Sequence, residues 1–217
     1  MSKIDVGKIV KLLEKLYPRA TIALEFSDVF QLLVAVILSA QCTDERVNKV
    51  TPALFKRFPG VNDFAVCDLE ELEKLIYSTG FYKNKAKNIK SAAEMIVADF
   101  GGIVPDKMED LLRLPGVARK TANVVLNAGY GKQEGVVVDT HVARLTGLLG
   151  LVPMKMSESK NAVKIEEILM KIVPMSDWGN FSYLMILHGR AVCVARKPRC
   201  AECVLNEICP SSSAKTE

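Results

Sequence analysis

Between Leu114 and Leu145 the chain reads LPGVARKTANVVLNAGYGKQEGVVVDTHVARL, which sets a Pro-Gly turn, an amine and a carboxylate within one short segment. Pro115 and Gly116 permit a tight turn between two helices, a helix-hairpin-helix unit. The N–H groups around Gly116, Val117 and Ala118, with the first turn of the second helix and its positive dipole end, form a ready anion site. Arg119 and Lys120 add formal charge there. The GxxxxGK[ST] spacing of a nucleotide P-loop is absent. Lys120 can attack carbon only as the neutral amine, and a lysine's ordinary pKa leaves little of that form at physiological pH. Burial in a cleft beside a helix start would supply it. The same side chain serves equally as a solvated phosphate ligand. Asp139 follows Val136, Val137 and Val138 and precedes a helical pattern. A carboxylate there can be an N-cap, a counter-charge to a developing cation, or both.

A second reactive group lies far along the chain. Cys193, Cys200, Cys203 and Cys209 give C-x6-C-x2-C-x5-C, four of the six cysteines. Such clustering reads as metal ligation in a reducing compartment rather than as a disulfide scaffold. Zinc and an iron–sulfur cluster both suit four thiols, and the spacing, which differs from the ferredoxin runs, does not choose between them. Arg196, Lys197 and Arg199 fall between the first two cysteines with no acid among them. They can offset the negative charge of a thiolate-bound centre, grip the phosphates of a polyanion, or do both. Cys42 and Cys67 read as plain thiols. His141 and His188, the only histidines, sit in helical patterns without ligand or triad spacing and read as structural.

The elements that must position these groups are helical. Ile9, Leu12, Leu13 and Leu16 share one helix face, and Pro18 ends it. Residues 28–40 are apolar nearly all round and belong at a core. A polar break at residues 39–44 follows, where Thr43 or Asp44 caps a helix through Val47, Val50, Leu54 and Phe58, with Pro52 a kink or restart. Asp68 and Glu71 form a capping box, and Gly80 stops that helix. A long helix covers about 83–100. Asp106 caps a short one that runs into Leu114, Ser157 caps one ending near Val173, and a last helix spans about 180–190. Only Val136–Val138 looks strand-like, so the class is all-α. The tail after Pro210 reads as frayed.

Composition is ordinary for a globular chain of 217 residues, with 49% apolar and 25% charged residues. The longest apolar run, Val29 to Ala40, is too short to cross a bilayer. The N-terminus MSKIDVGKIVKLLEKL reads as a charged amphipathic helix, not a signal peptide, so the cytoplasm is the expected compartment. A net charge of +4 suits a polyanionic partner without requiring one.

LPGVxRKTANVVL followed by VDTHVxRL, together with the cysteine spacing, resembles the helix-hairpin-helix superfamily of DNA glycosylases, and specifically the endonuclease III family. Ala118 stands where that family commonly has a second glycine. The resemblance implies two helical lobes: residues 22–132 with the hairpin, and residues 1–21 with 133–217, which carry a [4Fe–4S] cluster on the four cysteines. It implies a cleft holding Lys120 as the Schiff-base amine and Asp139 as the catalytic carboxylate. Gln41 in LSAQCTD matches the family's hole-filling residue, and Phe81 after Gly80 stands where an apolar wedge is expected. Their plainer readings are a loop glutamine and a core aromatic at a helix stop. The implied activity is that of a monomeric bifunctional DNA glycosylase and abasic-site lyase, removing oxidised pyrimidines from duplex DNA in base excision repair. The alternatives are a monofunctional mismatch glycosylase, disfavoured by the presence of Lys120, and a non-catalytic DNA-binding module with a four-cysteine metal site.

Overall fold

Helix propensity, helical spacing of apolar residues and short polar breaks produce twelve α-helices among the described residues, 5–159 and 161–215 of a computed structural model. They are α1 (Val6–Leu16), α2 (Val29–Ser39), α3 (Asp44–Arg57), α4 (Val61–Val66), α5 (Leu69–Ile76), α6 (Tyr82–Phe100), α7 (Met108–Leu111), α8 (Arg119–Val124), α9 (Thr140–Leu148), α10 (Met154–Glu158), α11 (Ala162–Ile172) and α12 (Trp178–Ala191). No strand occurs among those residues, and Val136–Val138, though buried, take no regular secondary structure. No helix there is long and apolar enough to cross a membrane. The chain divides into two units, Ala23–Glu134 and Met1–Ile22 with Gly135–Glu217.

The continuous unit is built on α2, whose residues from Leu32 to Leu38 are all buried. Asp28 starts this helix by accepting the Gln31 N–H at 2.9 Å. Thr43 caps α3 through Arg46 N–H, and Pro52 lies within α3 without ending it. The six-residue α4, absent from the sequence reading, exists to bury Phe64, whose ring meets those of Phe30 and Phe58 at 5.3 Å each. Such edge and tilted ring pairs add to burial. Two expected caps differ. Glu71 does not close a box with Asp68 but pairs with Arg57, and Asp106 holds Lys132 while Lys107 precedes α7.

The discontinuous unit packs Ile9, Val10 and Leu13 of α1 with Phe181, Leu184 and Met185 of α12, Val142 and Leu145 of α9, and Ile165 and Leu169 of α11. Here Asn161, not Ser157, caps α11 through Lys164 N–H. Ser157 instead lies in α10, buried, with its hydroxyl donating to Ala143 O, and packs so closely on Gly147 that a Cβ at Gly147 would stand 2.5 Å from it. The tail past Pro210 is not loose as far as Lys215: Ser213–Lys215 form a helical turn and Ser212 is buried, whereas residues 216–217 lie outside the described residues.

Candidate active site and cysteine loop

Within the continuous unit the hairpin runs from α7 through Leu114–Ala118 into α8. Leu114 N–H donates to Leu111 O and Val117 N–H to Leu114 O, so the turn is wound tightly. Gly116 has φ +79°, and a Cβ there would stand 2.9 Å from Asn88 Cβ on α6. Glycine is required on both counts. Ala118, by contrast, has φ −93° and ψ 169°, open to any L residue. It contributes no side-chain cap, so the first-turn N–H groups of α8 have no side-chain acceptor from their N-cap. Val117 is buried and anchors the turn, whereas Gly116, Ala118 and Lys120 are exposed and Arg119 is half-buried. Lys120 therefore stands on the open side of the turn. After Val124 the helix loosens into a π-turn over Val125–Gly129, a feature common near functional sites.

The same unit places Gln41 after α2 and Phe81 before α6. Among the described residues these are the only non-glycine residues with positive φ, at 53° and 48°. Phe81 is 64% exposed, so it is not a core aromatic. Gln41 is also exposed.

In the discontinuous unit, Asp139 caps α9. Its Oδ1 accepts both His141 N–H and Val142 N–H at 2.8 Å, so the cap leaves Oδ2 unused. His141 packs its ring on Gly189, where a Cβ would approach Nδ1 to 2.9 Å, and burial pushes its pKa down. A hollow of about 670 Å³ opens beside α9, lined by Thr140, His141, Arg144, Glu158 and Arg190 among others; Asp139 does not line it.

The four cysteines Cys193, Cys200, Cys203 and Cys209 all open onto one cavity of about 70 Å³, shared with Leu148, Pro198, Asn206 and Ser212. Among the described residues no group of three metal-type side chains stands close enough to hold a single ion. Donors aim at the sulfurs. Leu205 N–H reaches Cys203 Sγ at 3.4 Å, and Arg144 lies 3.7 Å from Cys193 Sγ while donating to Cys193 O at 2.6 Å. His188, buried, sets Nε2 3.3 Å from Cys203 Sγ and Nδ1 3.3 Å from the Tyr17 hydroxyl. Burial and the Arg144 charge push His188 down to about 4. A thiolate ligand carries no proton, so the neutral ring donates from Nε2 and accepts the Tyr17 hydroxyl proton at Nδ1. This donor set fits a thiolate-bound cluster. His188 is thus structural, as expected, though its contact with the cysteine box had no sequence signal. Arg196, Lys197 and Arg199 are exposed, and Arg199 also pairs with Glu202 and donates to Ala191 O.

The profile of the HhH-GPD superfamily of base excision DNA repair proteins matches residues 34–175, and that of the iron-sulfur binding domain of endonuclease III matches residues 193–209. Endonuclease III of Synechocystis sp. is 58% identical over 207 residues, covering 95% of this chain and 92% of the relative. The chain belongs to the endonuclease III family. Endonuclease III of Escherichia coli strain K12 is 39% identical over 212 residues, with 96% of each chain covered. A solved non-covalent endonuclease III–DNA complex superposes with TM-score 0.89 at 38% identity, over 97% of this chain and 96% of that one. A trapped endonuclease III–DNA covalent intermediate gives 0.89 at 38%, over 98% and 97%. As an endonuclease III family member the protein is a DNA glycosylase and abasic-site lyase of base excision repair, and it carries a [4Fe–4S] cluster. The zinc alternative for the cysteine box is thereby set aside.

Proposed function

We propose that this chain removes oxidised pyrimidines from double-stranded DNA and cuts the resulting abasic site, with Lys120 as the amine and Asp139 as the carboxylate. The observation that carries the reading is Lys120 itself: an exposed amine on the first turn of a helix whose leading N–H groups lack a side-chain cap. Those donors, with Gly116, Val117, Ala118 and Arg119, suit a DNA phosphate beside the reacting sugar. The fold leaves Lys120 exposed, so the amine is open to a sugar carbon of bound DNA.

The neutral amine attacks the sugar carbon bearing the base. The base leaves with the bonding electron pair and takes up a proton, and the sugar ring opens to an imine on Lys120. Loss of a proton from the neighbouring carbon then expels the 3′ phosphate. Asp139 keeps its Oδ1 on the α9 cap, which fixes the carboxylate, and its unused Oδ2 offers negative charge to the cationic sugar. Gln41 fills the gap left by the extruded nucleotide and Phe81 wedges the stack. Arg196, Lys197 and Arg199 grip phosphates. Cys193, Cys200, Cys203 and Cys209 hold the cluster, which when bound supplies a rigid anionic centre that shapes this cationic loop. The enzyme acts as a monomer in the cytoplasm, on damaged or abasic DNA.

Borohydride reduction in the presence of abasic-site DNA tests the amine. Wild type is expected to form a covalent adduct and Lys120→Ala none; an adduct with Lys120→Ala equal to wild type overturns the assignment. Asp139→Asn is expected to bind DNA normally while base release falls by about 10²–10³-fold. Unchanged turnover would reduce Asp139 to a cap.

A further inference from the structure

Lys85 sits on the inward stripe of α6 with Ala86, Ile89, Ala92, Ala93 and Ile96, and is itself only 5% exposed. Its ammonium Nζ donates to Leu38 O at 2.7 Å and to Thr79 O at 2.8 Å. No carboxylate pairs with it among the described residues, and burial pushes its pKa down. An ammonium buried without a counter-ion is costly, and carbonyl contacts are what it has to offset that cost.

The two carbonyls are not arbitrary. Leu38 lies in the last turn of α2, where carbonyls lose their helical partners. The N–H four residues on, that of Cys42, turns instead to Ser39 O. Thr79 ends the short helical turn Tyr77–Thr79, just before Gly80 and Phe81, and its own hydroxyl is engaged with Ile76 O. Each carbonyl therefore belongs to a chain reversal that carries one of the two left-handed non-glycine residues, Gln41 and Phe81. Such residues stay in that region only when their surroundings over-determine it.

We infer that Lys85 is a positioning residue which clamps the Gln41 and Phe81 turns to one point, so that the two side chains enter DNA as a single preset tool. The inference rests on the proposed roles of Gln41 and Phe81. Lys85 touches no substrate and acts only through those turns.

Single-turnover base release by the cluster-loaded protein, compared on two DNAs, tests it. One is a duplex with the damaged base paired; the other places the same base in an unpaired bubble, where no stack must be opened. Lys85→Met is expected to lose about 10²-fold on the paired duplex, the scale for a misplaced positioning element, and to keep near wild-type rates on the bubble. Equal loss on both DNAs, or no loss on either, overturns the inference. If Lys85→Met does not fold, Lys85→Gln, which keeps a donor on a shorter stem, carries the same expectation. The Gln41→Ala/Phe81→Ala double variant separates the two layers. If it shows no paired-specific loss, the roles of Gln41 and Phe81 fall. If it shows that loss and Lys85→Met does not, only the clamp falls. Adding Lys85→Met to the double variant is expected to cause no further loss on paired DNA, since both changes act on one step.

Discussion

The hairpin turn at Gly116 and the turns at Gln41 and Phe81 adopt the same left-handed backbone with opposite residue choices. At Gly116 a side chain has nowhere to go, because Asn88 stands 2.9 Å from where its first carbon would be. What that turn presents is its own backbone, and glycine gives it without strain. At Gln41 and Phe81 the backbone makes the same excursion, yet each keeps a full, exposed side chain. Glycine would relax both turns at once. Its absence indicates that the side chain is what those turns present, and that buried contacts such as those of Lys85 hold the strained form in place. Backbone sites are thus made from glycine, and side-chain sites from strain that the neighbouring structure absorbs.

Four substitutions would break or sharpen that contrast. Gly116→Ala adds both a dihedral penalty and a clash, so it is expected to cost about 1–3 kcal/mol or more, with covalent trapping on abasic DNA falling with it. Thermal unfolding of the variant, scored beside its trapping yield, checks this; wild-type values of both would mean that the turn tolerates a side chain. Phe81→Gly is expected to do the reverse to stability, raising it by up to about 1–2 kcal/mol as strain is released, while base release from paired duplex drops. A melting temperature below that of Phe81→Ala would remove the strain argument. Gln41→Gly follows the same sign with a smaller gain, since glutamine tolerates its turn with less crowding than phenylalanine does, and its loss is read in the same paired-duplex assay. The smallest effect belongs to Ala118→Gly. With φ already at −93°, glycine brings no relief there and costs only about 0.5–1 kcal/mol in chain entropy. A large rise in DNA affinity on making this change would show instead that the alanine methyl holds the phosphate off.

Much of this is legible in the sequence. The cysteine spacing and the LPGVARKT and VDTHV runs carry local chemistry, and local chemistry survives folding. The caps at Thr43 and Asp139 were readable for the same reason, since a cap is decided within three or four residues. What escaped depended on distant partners. The sequence reads Asp106 as a helix cap and Glu71 as the capping-box partner of Asp68, but cations elsewhere in the chain, Lys132 and Arg57, draw them away. The short α4 follows from Phe64 meeting rings of α2 and of Phe58, which no periodicity over six residues can reveal. Lys85 did leave a trace: it lies four residues before Ile89, on an otherwise apolar stripe, where a solvated lysine does not belong. The left-handed backbone at Gln41 left none, because glutamine carries no turn signal of its own.

The contact between Tyr17, at the end of α1, and His188, on α12, also bears on how the molecule is made. Its two partners are 171 residues apart, and between them the ribosome emits the whole of the Ala23–Glu134 unit. That unit has every piece it needs as soon as residue 134 clears the exit tunnel, and domains generally fold as they emerge. The other unit must keep α1 waiting, its apolar face uncovered, until α12 and the four thiols arrive. Cluster insertion is therefore a late event in the life of the chain, and a nascent chain stalled after residue 134 would hold a folded hairpin beside an orphaned first helix.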